Sequence, residues 1–116
     1  MSTQENLELL RATHRGSLDR VKRAIEGGAD IEYVEPGTGL TALHMAVGRS
    51  HLDIAKYLIE EAGAAIKPDA FGRWPTVIAA QCRSSEAVCD YIVEREAEAA
   101  NSGSRDTSPE REIDFD

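Results

Sequence analysis

Hydrophobic positions along the chain recur with the spacing of short amphipathic helices. Leu43 and Val47 fall on one face of a first helix in the middle of the sequence, and Leu52, Ala55 and Leu58 fall on one face of a second. Turn-rich pieces that contain several glycines, "GGADIEYVEPGTG" and "AGAAIKPDAFG", separate such pairs. The pattern therefore predicts an all-α protein built from paired short helices, with connectors that project outward.

The helix pairs repeat with a nearly constant period. "GLTALHMAV" from Gly39 matches "GRWPTVIAA" from Gly72 at a shift of 33 residues. "RGSLDRVKRAI" from Arg15 matches "RSHLDIAKYLI" from Arg49 at a shift of 34. A period of this length is typical of stacked-repeat solenoids, so we predict a repeat domain over residues 1–97, with units at about 5–34, 35–68 and 69–97.

Polar residues at the starts of the helices add detail. Thr41 is placed as an N-cap whose hydroxyl accepts the backbone N–H of His44. Ser50 and Asp53 are spaced as a capping box for the next helix, and Pro75 suits a first helical position. We expect the His44 ring to bond Thr41 with one nitrogen and the neighbouring connector with the other.

The middle unit, "GLTALHMAVGRSHLDIAKYLI", resembles the ankyrin repeat, and "RATHRGSLDRVKRAIEGGADI" resembles an N-terminal repeat of that family. The resemblance covers roughly Leu7 to Ala97. It implies an ankyrin-type helix-turn-helix solenoid of about three repeats with projecting β-turn connectors. It also implies the linking role of His44, since ankyrin repeats use a histidine in this way.

Several positions depart from the family pattern. Ser50 stands where the family has glycine, which predicts a strained or altered bend. In the third unit, Trp74 replaces the capping threonine and Val77 replaces the linking histidine. A terminal unit has no successor to hold, so this loss costs little. The spacing after Ile59 exceeds that of the repeat pattern by one residue, and the following connector is shorter than the pattern by one residue. The register of residues 62–68 is therefore left open.

Composition and charge restrict the class of partner. The chain has 116 residues, with 41% hydrophobic and 5% aromatic residues, so we expect one small domain with an aliphatic core. Its formal net charge of -8 argues against nucleic acid and anionic membranes as partners. No targeting segment or apolar run of membrane-spanning length is evident, so a cytoplasmic location is expected.

The repeat pattern stops near Ala97. Residues 98–116 contain six acidic and two basic residues and little apolar surface, so we predict a disordered acidic tail with some helical continuation at its start. The end of this tail, "REIDFD", alternates acidic and apolar residues. A solubilising role is favoured, but Ile113 and Phe115 could also dock into a partner or fold back on the basic first unit.

No arrangement typical of an enzyme is present. His44 and His51 fall on different helices, and Cys82 and Cys89 have no zinc-site spacing. No carboxylate stands in an apolar context that would shift its pKa, and no phosphate-binding loop occurs. We therefore expect no catalytic residue, no cofactor and no metal, and we interpret the histidines as structural.

Ankyrin proteins bind other proteins with a concave face formed by the connectors and first helices, and this is the function that the resemblance implies here. The expected partner-binding residues are His14, Arg15, Tyr33, Leu40, Arg49, Phe71, Arg73, Trp74 and Gln81, with Thr38 and Cys82 on the same face. Two alternatives to partner contact remain open, in which Trp74 fills space beside the last unit and Phe71 packs under its own loop. A monomeric adaptor or inhibitor of another protein is favoured, and a self-associating structural subunit is the alternative.

Overall fold

The structure is a computed structural model that describes residues 2–105, with the side chains of residues 4–100. All regular secondary structure in this range is helical: α1 Ser2–Arg15, α2 Leu18–Glu26, α3 Ala42–Gly48, α4 Leu52–Lys56, α5 Pro75–Gln81 and α6 Glu86–Arg105. A π-helical turn, Tyr57–Glu61, continues α4. The predicted all-α class is confirmed for this part of the chain.

Each helix pair closes through a bend in which one residue adopts a left-handed conformation. The angle φ is +81° at Gly16, +63° at Ser50 and +54° at Arg83. These residues follow the period of the sequence, since they are 34 and then 33 positions apart. Glycine adopts this conformation without steric cost, whereas serine and arginine do not. The strained bend expected at Ser50 is therefore present, and Arg83 repeats it.

Ser50 does not cap α4, so the predicted capping box with Asp53 is wrong. His51 occupies the N-cap position and makes no capping hydrogen bond with its side chain. The Ser50 hydroxyl instead accepts the N–H of Ser85 at 2.8 Å. Because the left-handed turn places Ser50 within the bend, its hydroxyl joins the second bend to the third.

Small and aliphatic side chains fill the core. Helix α3 packs between α1 and α5 and is buried along nearly its whole length. Ala42, Ala46 and Ala55 are fully buried, and the absence of larger side chains there allows the helices to approach closely. Around them lie Leu9, Val21, Leu43, Val47, Ile54, Leu58, Val88 and Ile92. The predicted aliphatic core is confirmed.

The one-residue excess after Ile59 is accommodated inside a helix. The N–H of Ala62 donates to the carbonyl of Tyr57, five residues earlier, at 3.0 Å. A regular α-helix would use the carbonyl four residues earlier. The chain then turns at Gly63, whose φ is +78°. The register that the sequence left open is thus set by a π-helical turn.

Helix α6 continues past the predicted domain boundary at residue 97 and ends at Arg105. The predicted helical continuation through Ala99 and Ala100 is therefore present. The remainder of the predicted tail, residues 106–116, lies outside the described residues.

Candidate functional site

A groove of about 710 Å³ runs along the inner face of the stack. Its floor is formed by α1, α3 and α5, and the connector between α2 and α3 rises beside it. The lining residues are Leu7, Leu10, Arg11, His14, Arg15, Glu35, Thr38, Leu40, His44, Met45, Gly48, Arg49, Arg73, Ile78, Gln81 and Cys82.

The groove combines an apolar floor with a cationic rim. Buried or partly buried aliphatic and thioether side chains make the floor: Leu10, Leu40, Met45 and Ile78. Four arginines line the same groove: Arg11, Arg15, Arg49 and Arg73. Glu35 is the acidic residue among the lining side chains. Arg11 pairs with Glu8 at 3.3 Å and Arg73 pairs with Asp69 at 2.7 Å, so Arg15 and Arg49 supply most of the positive charge of the groove, in a chain whose formal net charge is -8.

Two of these arginines are held in place by the backbone of a neighbouring unit. The Nε of Arg49 donates to the carbonyl oxygen of His14 at 3.1 Å. The Nη2 of Arg73 donates to the carbonyl oxygen of Thr38 at 3.1 Å. Side chains fixed before binding lose less conformational entropy when a partner arrives.

The structure brings six of the nine predicted partner-binding residues into the groove. They are His14, Arg15, Leu40, Arg49, Arg73 and Gln81. Thr38 and Cys82, which were expected on the same face, also line it. Tyr33, Phe71 and Trp74 lie outside the groove lining.

The three aromatic residues outside the groove have separate surroundings. Tyr33 is partly buried and packs against the core. Phe71 is 68% exposed, yet its ring covers Gly39, where an added Cβ would lie 2.5 Å from Cε2 of Phe71. Trp74 is 42% exposed at the C-terminal end of the stack. The aromatic character of these residues did not show whether they line the groove, because aromatic residues occur both in cores and at interfaces.

Asp69 organises the second connector, and the sequence reasoning missed it. Its Oδ1 accepts the N–H groups of Phe71 and Arg73, each at 2.9 Å, and its Oδ2 accepts Nε of Arg73 at 2.7 Å. We expected no carboxylate in an apolar context that shifts its pKa, and the shift at Asp69 has a different origin, because polar partners cause it. Burial raises the pKa of Asp69, but the N–H groups of Arg73 and Phe71 and the Arg73 guanidinium outweigh it and lower the pKa from 3.8. An aspartate three residues before Gly72 is a turn signal that could have identified it.

The two connectors bond to one another. The N–H of Ala70 donates to the carbonyl of Gly39 at 3.0 Å. Glu32 in the first connector accepts the N–H of Ala65 at 2.8 Å and pairs with Lys67 at 3.4 Å. These bonds hold the connectors together as one wall beside the groove.

His44 is buried and is held by the cap of its own helix. Thr41 Oγ1 lies 2.8 Å from Nδ1 of His44 and also accepts the His44 N–H at 3.4 Å, as predicted. The other ring nitrogen, Nε2, is buried and makes no hydrogen bond of ideal geometry, but backbone groups of Lys67 and Arg73 in the neighbouring connector act on the ring as hydrogen-bond partners. The connector that the Asp69 turn shapes therefore supplies the backbone groups that face the ring.

The pKa of His44 reflects this position. Burial lowers it below the ordinary value of 6.5, because the charged ring loses hydration. The Asp69 carboxylate and the nearby backbone groups of Lys67 and Arg73 raise the pKa by less. The uncharged ring is therefore favoured in the folded protein.

His51 has a packing role at the junction of two bends. An added Cβ on Gly16 would lie 2.6 Å from Cε1 of His51, so the ring lies directly against that glycine. Across the part of the chain that the structure describes, no group of three or more His, Cys, Asp or Glu side chains is arranged to hold a metal ion.

A second apolar surface lies at the C-terminal end of the stack. Trp74, Val77 and Val93 are exposed by 42%, 40% and 55%. A cavity of about 570 Å³ adjoins Trp74 and Val93, and its polar lining consists of Thr76 and Glu96. Within residues 2–105, no helix combines the length and the apolar character that crossing a membrane requires.

Residues 9–103 match the family model described as ankyrin repeats in three copies. The chain belongs to the ankyrin repeat family. The match spans the helix pairs and both connectors, so the predicted ankyrin-type solenoid is confirmed. Ankyrin repeats generally mediate protein–protein interaction and are generally not catalytic. The groove described above is the concave face of these ankyrin repeats.

The human 2-5A-dependent ribonuclease is similar to these repeats. It is 30% identical to the chain over 79 residues. The aligned region covers 68% of this chain and 11% of the ribonuclease, so the chain spans about a tenth of that protein's length. The similarity therefore supports a shared repeat structure, and the ribonuclease activity belongs to that protein.

Proposed function

We propose that the chain is a non-catalytic interaction module that binds another protein in the concave groove, as an adaptor or an inhibitor. The observation that carries this proposal is that an apolar floor and four arginines lie in the same groove. The chain belongs to a family that generally binds proteins. Arginine is enriched among the residues that dominate binding energy when an interface excludes water from them. The proposal includes no nucleic-acid, membrane or cofactor partner.

The state of the potentially reactive side chains supports a non-catalytic role. The Cys89 thiol donates to the carbonyl of Ser84 at 3.5 Å. Thr41 holds the His44 ring, and Arg73 pairs with the Asp69 carboxylate. Each of these groups has a structural partner. The two free thiols, Cys82 and Cys89, are consistent with the proposed cytoplasmic, reducing location.

The addition of negative charge to the groove rim tests the proposal. Arg15→Glu combined with Gln81→Glu changes two exposed positions of the groove. We expect partner capture from a native extract to fall by about tenfold, which corresponds to about 1.4 kcal/mol. Quantitative mass spectrometry of the captured proteins gives the measurement.

The matched control reverses two exposed charges on α2, with Arg20→Glu and Lys22→Glu. This variant should capture the same proteins as the unchanged chain, and circular dichroism should show that both variants are folded. Equal capture by the groove variant and the control would contradict groove binding.

The exposed end of the stack supports a second candidate function, which is self-association. Trp74 and Val93 border one cavity at this end, and Val77 is a further exposed apolar side chain of the last unit, against which another unit would stack. Light scattering over a range of concentrations measures the mass. If the surface mediates association, Val93→Glu should abolish it and Val34→Glu, at an exposed connector position, should not. A mass that stays monomeric at all concentrations favours the adaptor and excludes this candidate.

A further inference from the structure

The chemistry of the groove specifies the kind of segment that it accepts. An extended chain points successive side chains to opposite sides, so a segment of alternating residues presents two different faces. A segment that alternates apolar and acidic residues would direct the apolar ones to Met45 and Ile78. Its carboxylates would then lie toward the rim, where charge-assisted hydrogen bonds with arginine are strong.

The chain contains a segment with this pattern. Residues 110–116 read "EREIDFD", in which Ile113 and Phe115 alternate with Glu112, Asp114 and Asp116. The segment has four acidic residues and one basic residue, whereas the groove is lined by four arginines and one glutamate. We propose that the end of this segment, residues 113–116, binds in the concave groove of the same chain, with Ile113 and Phe115 on its floor. This inference rests on the proposed function, because a protein partner would have to displace the segment from that groove.

The length of the chain permits this contact. The Glu96 carboxylate accepts the N–H of Thr76 at 3.1 Å, which places Glu96 beside the start of α5. From Glu96 to the end of α6 at Arg105 the helix rises about 13 Å. Crossing from the outer to the inner helix takes a further 8 to 10 Å or so. An extended chain of residues 106–116 reaches about 37 Å, so its last four or so residues can enter the groove beside Arg73 and Leu40.

Charge favours the groove over two other cavities on the described surface. The cavity at the C-terminal end contains Glu96 and no cationic side chain, so it would repel an acidic segment. A third cavity, on the outside of the first unit, is lined by Arg20 and Arg23 together with Glu5 and Glu8, so its charges balance. The groove combines an excess of positive charge with an apolar floor.

Photo-crosslinking in the full chain tests the proposal. Phe115 is replaced by p-benzoylphenylalanine, which keeps an aromatic ring and inserts into nearby C–H bonds on irradiation. The expected result is a crosslink within one chain to the groove peptide that contains Leu40 and Met45. It should be found by mass spectrometry in the monomer band.

A tail variant supplies a test that the folding of the repeats does not complicate. Glu112→Gln with Asp114→Asn removes two carboxylates of the segment, and the crosslink yield should fall severalfold. The matched control, Asp90→Asn with Glu94→Gln, removes two exposed carboxylates from α6, and the yield should stay unchanged.

Four results would overturn the proposal. Three of them concern the crosslink itself: it forms with the surface around Trp74 and Val93, it is found only in a dimer band, or it is absent. The fourth is a crosslink yield that stays the same in the tail variant. None of them bears on partner capture by the groove, which the Arg15 and Gln81 variant measures separately. Failure of the intramolecular contact is therefore distinguishable from failure of the proposed function.

Discussion

A buried imidazole and a buried carboxylate influence one another at the junction between the second and third units. The Asp69 carboxylate raises the pKa of His44, but burial lowers it by more. Asp69 is itself kept ionised by N–H groups and by Arg73. Both residues thus favour the deprotonated form, which is uncharged for His44 and anionic for Asp69, and their surroundings in the fold set both preferences.

Replacement of His44 tests its structural role. His44→Ala removes the contact with Thr41 and leaves a void beneath the connector, so we expect a loss of about 1 to 2 kcal/mol in the free energy of unfolding. Urea denaturation at neutral pH gives the value. His14→Ala, at an exposed position, should cost less than about 0.5 kcal/mol. Equal stability of the His44 variant and the unchanged chain would contradict this role.

The lowered pKa of His44 predicts a dependence of stability on pH. The folded pKa lies below the unfolded value near 6.5, so the unfolded chain binds more protons as the pH falls. Stability should be full above pH 6.5 and should decline as the pH falls through that value. In urea titrations from about pH 7.5 to about pH 5, His44→Gln should show a shallower decline than the unchanged chain. Parallel curves would disprove the assignment.

The left-handed conformation of the bends predicts opposite effects on stability for a substitution to glycine and a substitution of glycine by alanine. Arg83→Gly removes a side chain at φ +54°, so we expect a gain of about 0.5 to 1 kcal/mol. Gly16→Ala adds a Cβ at φ +81° and 2.6 Å from His51, and it should cost more than about 1 kcal/mol. Thermal unfolding of both variants provides the comparison. A destabilised Arg83→Gly protein would show that the bend is not strained.

At the scale of elements, the connectors differ in how they are stabilised. The first has an aspartate turn at Asp30, which accepts the N–H of Glu32 at 2.9 Å. The second depends on Asp69, which is buried and satisfies two N–H groups and a guanidinium. A fixed second connector also positions Arg73 on the groove rim.

Replacement of these two aspartates separates their contributions. Asp69→Ala leaves buried donors without acceptors, so we expect a loss of about 2 to 3 kcal/mol. Asp30→Ala changes an exposed turn and should cost less than about 1 kcal/mol. Differential scanning calorimetry measures both. Similar costs for the two variants would contradict the central role of Asp69.

Local chemistry made much of the fold predictable. The helical period, the Thr41 cap and the small residues at Ala42 and Ala46 depend on neighbours in sequence. The Ser50 hydroxyl bonds Ser85 and the Asp69 carboxylate meets Arg73 within a shaped turn, so their roles depend on the folded geometry. That difference explains the wrong capping box and the missed carboxylate.

The residues of the candidate site were also predictable only in part. Positions on first helices and bends, such as Arg15, Arg49 and Gln81, line the groove as predicted. Phe71 and Trp74 lie outside it because connector geometry directs their rings elsewhere. Arg11 is not among the residues expected on this face, and only the packing of α1 beside α3 shows that it lines the groove.

On the scale of the whole molecule, the repeat units differ in how much of their surface is packed against neighbouring units. Helix α3 packs against both α1 and α5, while the outer side of α5 leaves Val77 40% exposed. In a linear array, the stability of each unit depends on its neighbours. The middle unit therefore has the most support.

Hydrogen exchange should show this gradient. We expect the slowest exchange in α3, which is buried by units on both sides, and faster exchange in α5. Exchange measured by mass spectrometry on the full chain resolves these helices as separate peptides. Slower exchange in α5 than in α3 would contradict the gradient.

The π-helical turn at Tyr57–Glu61 bears on how such arrays change length over evolution. It absorbs a single inserted amino acid within the outer layer, so the inner helices and the groove wall keep their spacing. An outer helix can thus accommodate one extra residue while the groove keeps its shape.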